Sequence, residues 1–478
     1  MEAFFASKWA DSPSGVIRAI RNPWNQQIID SVPECDEETV ELALERLRKG
    51  VDQLDSTSSE AMGEAFSGAR DRIVESRESL AGGITREQGK PIHEARHEVD
   101  VVIRLLDSFG KESFRLGRQL LPLAIEARFG DRLGYTRRRP YGVVAALSPN
   151  TFPFLIPAMM VIPALAAGNA VALKPASGTP FSALELVRIL VESGIPEGSI
   201  ACLTGPGSLT GQAICRSRHV DQISCYGGAE TIRSIRTACG LVPLQFHHGG
   251  MGVCIVAEDA DLDLVAPQLI AQSFENAGQT AISTGTVFAA DSVYEELCDR
   301  LASEVGRLTS GDPEMESTDI GPLSEAFRVA RANRMIADVV ASGGDLLSGS
   351  ESREGNLIEP VILAGVDPEN PRFFPESGSR EILAPVMGVA KLNGELEGIS
   401  KWMDPRTQLC ASLFGRDLDR MTRLARSLDI FNVHVNGIPT WRDGLIFDPG
   451  SNTRLGRRTS ASRVNEISTI QDVVFHDS

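Results

Sequence analysis

Positive charge is scarce in this chain of 478 residues: 47 lysines and arginines face 64 aspartates and glutamates, a formal net charge of −17. That balance excludes a broad nucleic-acid surface and any partner needing extended positive potential. The one basic run, Arg137-Arg138-Arg139, reads as a solvated strand end. Close cysteine pairs are missing too. Eight cysteines (35, 202, 215, 225, 239, 254, 298 and 410) are scattered along the chain without a Cys-x-x-Cys. This excludes a disulfide framework and a thiolate metal site, and points to reduced thiols in the cytoplasm. No metal site is expected. The start, Met-Glu-Ala-Phe-Phe-Ala-Ser-Lys, lacks a basic region followed by a long apolar one, so no signal peptide is expected. An unbroken apolar run is also lacking: Phe152 to Leu173 is punctuated by Pro153, Pro157 and Pro163. It reads as a buried helix followed by a buried strand, with no membrane span. There is no internal repeat, no low-complexity tract and no Gly-x-Gly-x-x-Gly at a strand–helix junction. Gly205-Pro206-Gly207 is too short a match to count alone.

The length predicts two or three domains with ample core, and 42% hydrophobic with 23% charged residues is ordinary for a soluble globular enzyme. Short β runs flank a turn at Asn22-Pro23-Trp24-Asn25, and the pattern is helical from Asp36 to about Leu116, with a break at Gly89 and Pro91. Residues 118–141 read as a β-hairpin with Gly130-Asp131 at its tip. Strands then alternate with helices: 142–147 strand, 157–167 helix, 170–173 strand, 182–193 helix, 200–203 strand, 209–215 short helix and 222–226 strand. Such alternation predicts an α/β architecture with a parallel sheet covered on both faces. Gly194-Ile195-Pro196 ends one helix by glycine-then-proline logic. A second alternation runs from Gly252 to Asn432. Within it, a helical run from Leu262 to Phe274 enters the loop Glu275 to Ser283, and a β-rich run from Gly285 to Ala289 leaves it.

That loop carries the resemblance. Asn276-Ala277-Gly278-Gln279-Thr280-Ala281-Ile282-Ser283 resembles the active-site loop of the aldehyde dehydrogenase superfamily, Asn-Ala-Gly-Gln-Thr-Cys-Ile-Ser. The one mismatch is the nucleophilic cysteine, which is Ala281 here; a methyl group attacks no carbonyl. Thr85 to Val99, the punctuation Gly311-Asp312-Pro313, Gly321-Pro322-Leu323 and Ile358-Glu359-Pro360, and Val433 to Gly437 extend the similarity from about Asn22 to Val474. The resemblance implies an aldehyde dehydrogenase-like fold. A dinucleotide-binding domain (1–117 and 137–247) precedes a catalytic domain (248–432), and oligomerisation elements (118–136 and 455–478) suit a homodimer or homotetramer.

It also implies a nicotinamide dinucleotide, NADP or NAD. The family's phosphate-contacting turn falls on Tyr226, Gly227 and Gly228, where glycines at a strand end let a pyrophosphate approach a helix N-terminus; by itself that stretch equally suits a plain turn. Lys174 matches the adenosine-ribose lysine, within Lys174-Pro175-Ala176-Ser177. Ser177 stands where a glutamate would repel a 2′-phosphate, which tilts the reading toward NADP. Ser148, Pro149, Gly207 and Gly211 complete the cofactor set, and Glu381 matches the nicotinamide-ribose carboxylate.

The family's reaction needs a thiolate nucleophile, an amide and a backbone N–H for the oxyanion, and a carboxylate to activate water. All three positions depart: Ala281, Thr151 in Pro149-Asn150-Thr151-Phe152-Pro153 (with Asn150 one place early), and His247 before Gly249-Gly250. The intact motif around Ala281 suits a recent Cys-to-Ala trapping change in an enzyme, while Thr151 and His247 read as native. Without the carboxylate a thioester intermediate is longer-lived, so coenzyme A or a carrier-protein thiol becomes an acyl acceptor, and acyl-thioester reduction is the reverse reaction. His247, with an unperturbed pKa near neutrality, suits deprotonating the acceptor; it equally suits a satisfied structural histidine. Trp441 and Arg442 are candidates for the substrate mouth, Arg442 for an anionic substrate group. The expected function is therefore NAD(P)-dependent aldehyde oxidation or acyl-thioester reduction through a cysteine at 281. Two other readings stand beside it: a natural non-catalytic relative that binds nucleotide or serves as a subunit, and a non-redox enzyme using His247.

Overall fold

The apolar runs that precede the punctuation become buried parallel strands. In the computed structural model, residues 2–4, 9–10, 15–112, 119–120, 134–248, 250–349, 355–367, 382–392, 396, 399, 408–430, 432–439, 464 and 466–475 are described. The chain opens with β1 (Ala3–Phe4), β2 (Trp9–Ala10), β3 (Ile17–Arg21) and β4 (Ile28–Pro33), the last two forming a hairpin around Asn22 to Asn25. Four helices follow: α1 (Glu37–Asp55), α2 (Ser59–Glu75), α3 (Arg77–Gln88) and α4 (Ile92–Glu112). Asp36 caps α1 by accepting from the Thr39 N–H, and Gly89 ends α3 in the left-handed region, φ 90°.

After β5 (Gln119–Leu120) and β6 (Gly134–Pro140) come β7 (Val143–Leu147), α5 (Leu155–Ala166), β8 (Ala170–Lys174), α6 (Phe181–Glu192), β9 (Ile200–Cys202), α7 (Gln212–Arg216), β10 (Gln222–Gly227), α8 (Ala229–Ala238) and β11 (Leu244–His248). Their sheet has the order β11-β10-β7-β8-β9-β1-β2. It is parallel except at one edge, where β1 joins β9 antiparallel and β2 joins β1. The expected helix at 209–215 begins instead as a π-helical turn, Gly207–Gly211, before α7. There Thr210 Oγ1 donates to the Cys35 carbonyl at 2.7 Å and leaves Leu209 on the surface.

The second sheet is built from β12 (Met251–Val256), α9 (Leu262–Phe274), β13 (Thr284–Ala290), α10 (Asp291–Val305), α11 (Ala326–Ala341), β14 (Asp345–Ser348), β15 (Val361–Ala364), β16 (Val386–Leu392), β17 (Gln408–Phe414), α12 (Leu418–Ser427) and β18 (Asn432–Val435). Its order is β14-β15-β16-β13-β12-β17-β18, with only β14 antiparallel to its neighbour. Each sheet lies in its own hydrophobic core. The hairpin pair β5–β6 is joined by the last strand, β19 (Ser468–Val474), whose Gln471 accepts from Arg137 and whose Ser468 accepts from Arg138. The hairpin tip at Gly130-Asp131 lies outside the described residues, as do Glu381, Trp441 and Arg442.

Candidate active site and cofactor crevice

The loop between α9 and β13 is held in a conformation that its own residues disfavour. Asn276, Ala277 and Gly278 have φ of 52°, 53° and 69°, consecutive left-handed residues of which only the glycine is at ease. Each non-glycine residue held there costs on the order of 1–3 kcal/mol, so surrounding bonds must over-determine it. They do. Glu94 on α4 accepts the Asn276 N–H with both oxygens (3.0 and 2.9 Å), Gln88 donates to Asn276 Oδ1 (3.0 Å), and Asn276 Nδ2 donates to the Thr151 carbonyl (2.8 Å). A side chain at Gly278 would meet the Ala384 carbonyl at 2.3 Å, so the loop is also pressed against the chain before β16.

Ala281 stands in a turn closed by the Ser283 N–H on the Thr280 carbonyl (3.1 Å) and is partly exposed. The two ends of the loop are stitched together by side chains: Gln272 to the Ile282 carbonyl (2.7 Å), Ser283 Oγ to the Ser273 carbonyl (2.8 Å) and Ser273 Oγ to the Thr284 carbonyl (2.9 Å). None of these bonds involves the side chain at 281.

Two carboxylates one turn apart on α4 serve both loops. While Glu94 holds Asn276, Glu98 accepts the N–H groups of Phe154 and Leu155, each at 2.9 Å, at the start of α5. Glu98 is paired with Lys90 at 2.5 Å with both side chains buried, and Lys90 Nζ sits 3.8 Å from the Phe152 ring centroid. The elbow between α3 and α4 thus fixes residues 151–155 against residues 276–279. Sequence reasoning placed this segment in a resembling block without giving Gln88, Lys90, Glu94 or Glu98 a role; the i, i+4 spacing of the glutamates was the available signal.

Of the two oxyanion candidates, Thr151 faces the loop through its carbonyl, while the Asn150 amide is engaged elsewhere. Asn150 Nδ2 donates to Ser324 Oγ (3.0 Å), and Ser324 bonds Gln279 Oε1 through its N–H (3.0 Å) and hydroxyl (2.9 Å). His247 lies at the end of β11, in register with Tyr226 on β10, and the two rings stack with centroids 4.0 Å apart and planes 19° from parallel. Both are buried. Five residues later, the Gly252 N–H bonds the Ser283 carbonyl (2.9 Å), so the chain leaving His247 runs directly to the Ala281 turn.

No cysteine of the chain offers a reactive thiolate. All eight are buried, and burial pushes Cys225 up to about 12 and Cys254 well above the usual thiol range. Inert, protonated thiols of this kind behave as small hydrophobes. Among the described residues, no cluster of three metal-ligating side chains occurs, and no helix is long and apolar enough to cross a membrane.

Of the residues expected to hold a cofactor, those of the first sheet share one edge of it. Ser148 and Pro149 leave β7, Lys174 to Ser177 leave β8, Gly207 and Gly211 follow β9, and Tyr226 to Gly228 leave β10. All stand at the C-terminal ends of four adjacent parallel strands, where open α/β sheets bind ligands. Lys174 is 7% exposed and donates to the Pro175 carbonyl at 2.9 Å; Ser177 Oγ lies 3.4 Å from its Nζ. Burial, with Arg18 adding repulsion, lowers the ammonium to about 8. A bound polyanion would reverse that. A side chain at Gly207, Gly211 or Gly228 would meet no atom within 4 Å, and the Ser148 hydroxyl is buried without a partner. Open glycines, an orphaned hydroxyl and a desolvated cation at one sheet edge fit a phosphate-bearing dinucleotide.

The profile described as "Aldehyde dehydrogenase family" matches residues 9–473. The chain is 30% identical over 437 residues to glutarate-semialdehyde dehydrogenase of Pseudomonas putida, covering 91% of this chain and 89% of that protein. It is 29% identical over 439 residues to the NADP(+) succinate-semialdehyde dehydrogenase of Escherichia coli, with 91% and 89% covered. Among solved structures, the NADP-dependent glyceraldehyde-3-phosphate dehydrogenase of Bacillus halodurans complexed with NADP superposes with a TM-score of 0.92, at 26% identity over 99% of this chain and 98% of that one. A family match over residues 9–473, relatives similar along nearly their whole length and a solved structure that superposes closely lead to one conclusion: the chain belongs to the aldehyde dehydrogenase family.

Proposed function

We propose that this chain binds NADP or NAD along the C-terminal edge of its first sheet, presents an aldehyde to residue 281, and stops there for want of a sulfur. The observation that carries the reading is the Ala281 turn: the surrounding bonds are complete, and the side chain at its tip takes part in none of them. With cysteine at 281 a thiolate adds to the carbonyl carbon, and a bound nicotinamide dinucleotide supplies the hydride acceptor. Thr151 and the backbone of the turn border the developing oxyanion. His247 then takes the proton from the group that releases the acyl chain, water or a thiol such as that of coenzyme A or a carrier protein. Ser177 places no carboxylate beside Lys174, which favours a 2′-phosphate and so NADP. Semialdehydes are the first substrates to try, because similar proteins act on them. The β5–β6–β19 sheet, with Ile470 (62%) and Phe475 (52%) exposed, is our candidate surface for a homodimer or homotetramer.

Restoring the thiol tests the proposal. Ala281→Cys with NADP or NAD and a panel led by succinate and glutarate semialdehydes is expected to gain absorbance at the reduced-nicotinamide band, while the parent chain stays flat. A second reading, a natural nucleotide-binding relative without covalent chemistry, draws on the His247 ring being stacked on Tyr226. It prevails if the Ala281→Cys protein binds dinucleotide yet neither oxidises any aldehyde nor reduces an acyl thioester.

A further inference from the structure

A second concavity lies between α3, α6 and β4, and none of the crevice residues lines it. Its volume is about 450 Å³, within the roughly 300–1,000 Å³ of small-molecule sites. Helical spacing builds its walls. Leu80, Gly83 and Arg86 follow one another at three residues along α3, and Phe181, Glu185 and Arg188 at four and three along α6, so each trio shares a helix face. Leu80 and Phe181 are buried and, with Ile29 of β4, give the lining its apolar part.

The charged groups around this space are not equivalent. Arg188 is committed to its own helix, with Nε and Nη2 on Glu185 Oε2 (2.9 and 2.5 Å) and Nη1 on Glu192 Oε1 (3.0 Å). Asp30 accepts the Ser31 N–H at 2.7 Å. The start of α6 is closed as well, because the buried Glu87 carboxylate accepts the Phe181 and Ser182 N–H groups, each at 2.8 Å. Arg86 is exposed and makes neither a hydrogen bond nor an ion pair among the described residues. Its guanidinium is therefore the charge left for an incoming partner, and its planar fork suits a carboxylate. Asp30 and Glu185 line the same space and repel a second negative charge.

Gly83 adds an independent observation. It stands in the interior of α3, where only proline is a poorer helix former. A Cβ there would meet no atom within 4 Å, so no contact inside the chain requires glycine. Its missing side chain instead leaves the cavity open between Leu80 and Arg86, where an apolar body attached to the carboxylate would lie.

We propose that this cavity binds a small monocarboxylate with an apolar body, the carboxylate on Arg86 and the body on Leu80, Phe181 and Ile29. The site shares no residue with the crevice, so it stands or falls independently of the dinucleotide reading.

The test is calorimetric titration of the full chain with hexanoate and 3-phenylpropanoate, beside hexan-1-ol, which lacks the charge, and glutarate, which carries two. Monocarboxylates of this size are expected to bind with Kd of roughly 0.1–1 mM, and the alcohol and glutarate at least about tenfold more weakly. Arg86→Gln should raise the Kd for both monocarboxylates about tenfold or more, with Arg86→Lys between. Gly83→Leu fills the space and should abolish binding, while thermal unfolding shows it melting no lower than the parent, because leucine is the better helix former. No heat from either monocarboxylate at about 10 mM overturns the proposal. So does an alcohol or a dicarboxylate that binds as well as hexanoate. Binding within about twofold of the parent in either Arg86→Gln or Gly83→Leu puts the ligand elsewhere and overturns it too.

Discussion

Glu98→Ala strands three groups at once. The Lys90 and Glu98 side chains are 1% and 0% exposed, so deleting the carboxylate leaves a buried ammonium without its partner, a loss of about 3–5 kcal/mol. The N–H groups of Phe154 and Leu155 lose their acceptor in the same step, each worth about 1–3 kcal/mol when buried and unsatisfied. These terms overlap, so the ion pair alone is taken as the lower figure. It is a large part of the roughly 5–15 kcal/mol that holds a domain together. For a domain of 150–250 residues, about 1 kcal/mol moves Tm by ~2–4 °C, so a fall of roughly 6–20 °C is expected by circular dichroism. Glu98→Gln keeps an acceptor for the two N–H groups and should fall in between. Lys90→Met with Glu98→Leu removes the charges together and should recover the ion-pair part of the loss, because an apolar pair of similar volume can replace a buried ion pair, while the Phe154 and Leu155 N–H groups stay unpaired. In the Ala281→Cys background, Glu98→Ala at a temperature where it stays folded should lower kcat, since Thr151 and Asn276 lose their common support. A Glu98→Ala protein melting within about 3 °C of the parent, or a double variant as damaged as the single one, would refute the reasoning.

Four other outcomes are expected. Burial, opposed by the bonds from Ser182 and Phe181 and reinforced by the negative charge of Glu98, raises Glu87 to about 7. A carboxyl with a raised folded-state pKa gives stability that is full below its unfolded pKa near 4.5 and is lost as pH climbs through 7; Glu87→Gln should flatten the Tm–pH curve in that window. Lys174, lowered to about 8 in the free chain, should make NADP affinity decline from pH 7.5 to 9 in titrations, and Lys174→Met should abolish that dependence. Ser177→Glu should weaken NADP roughly tenfold or more with little change for NAD, read as the ratio of Kd values. Gly278→Ala, with φ 69° and the Ala384 carbonyl 2.3 Å from the new methyl, should destabilise by about 2 kcal/mol or more and shift the urea midpoint accordingly.

What the sequence made legible was what depends on local pattern. The helix Leu262–Phe274 and the strand after it follow from an apolar run, a glycine-bearing loop and a second apolar run. The strand ends at which Lys174, Ser177 and Gly228 stand follow the alternation, while their link to a cofactor came from the resemblance alone. What stayed hidden depends on distant partners. The left-handed pair Asn276–Ala277 is imposed by Glu94 and Gln88, over 180 residues away in sequence. The Tyr226–His247 stack needs the register of two parallel strands. The π turn at Gly207–Gly211 came from a hydroxyl reaching Cys35, a contact that outweighs the apolar period of Leu209 to Cys215.

The independence of the Ala281 turn from its own side chain has a practical meaning. Its frame works like a socket: whatever short side chain is fitted at the tip, whether hydroxyl, thiol, selenol or methyl, is displayed at one fixed location by bonds it did not help to make. A single substitution at this position can thus change the chemistry on display without renegotiating the architecture beneath it.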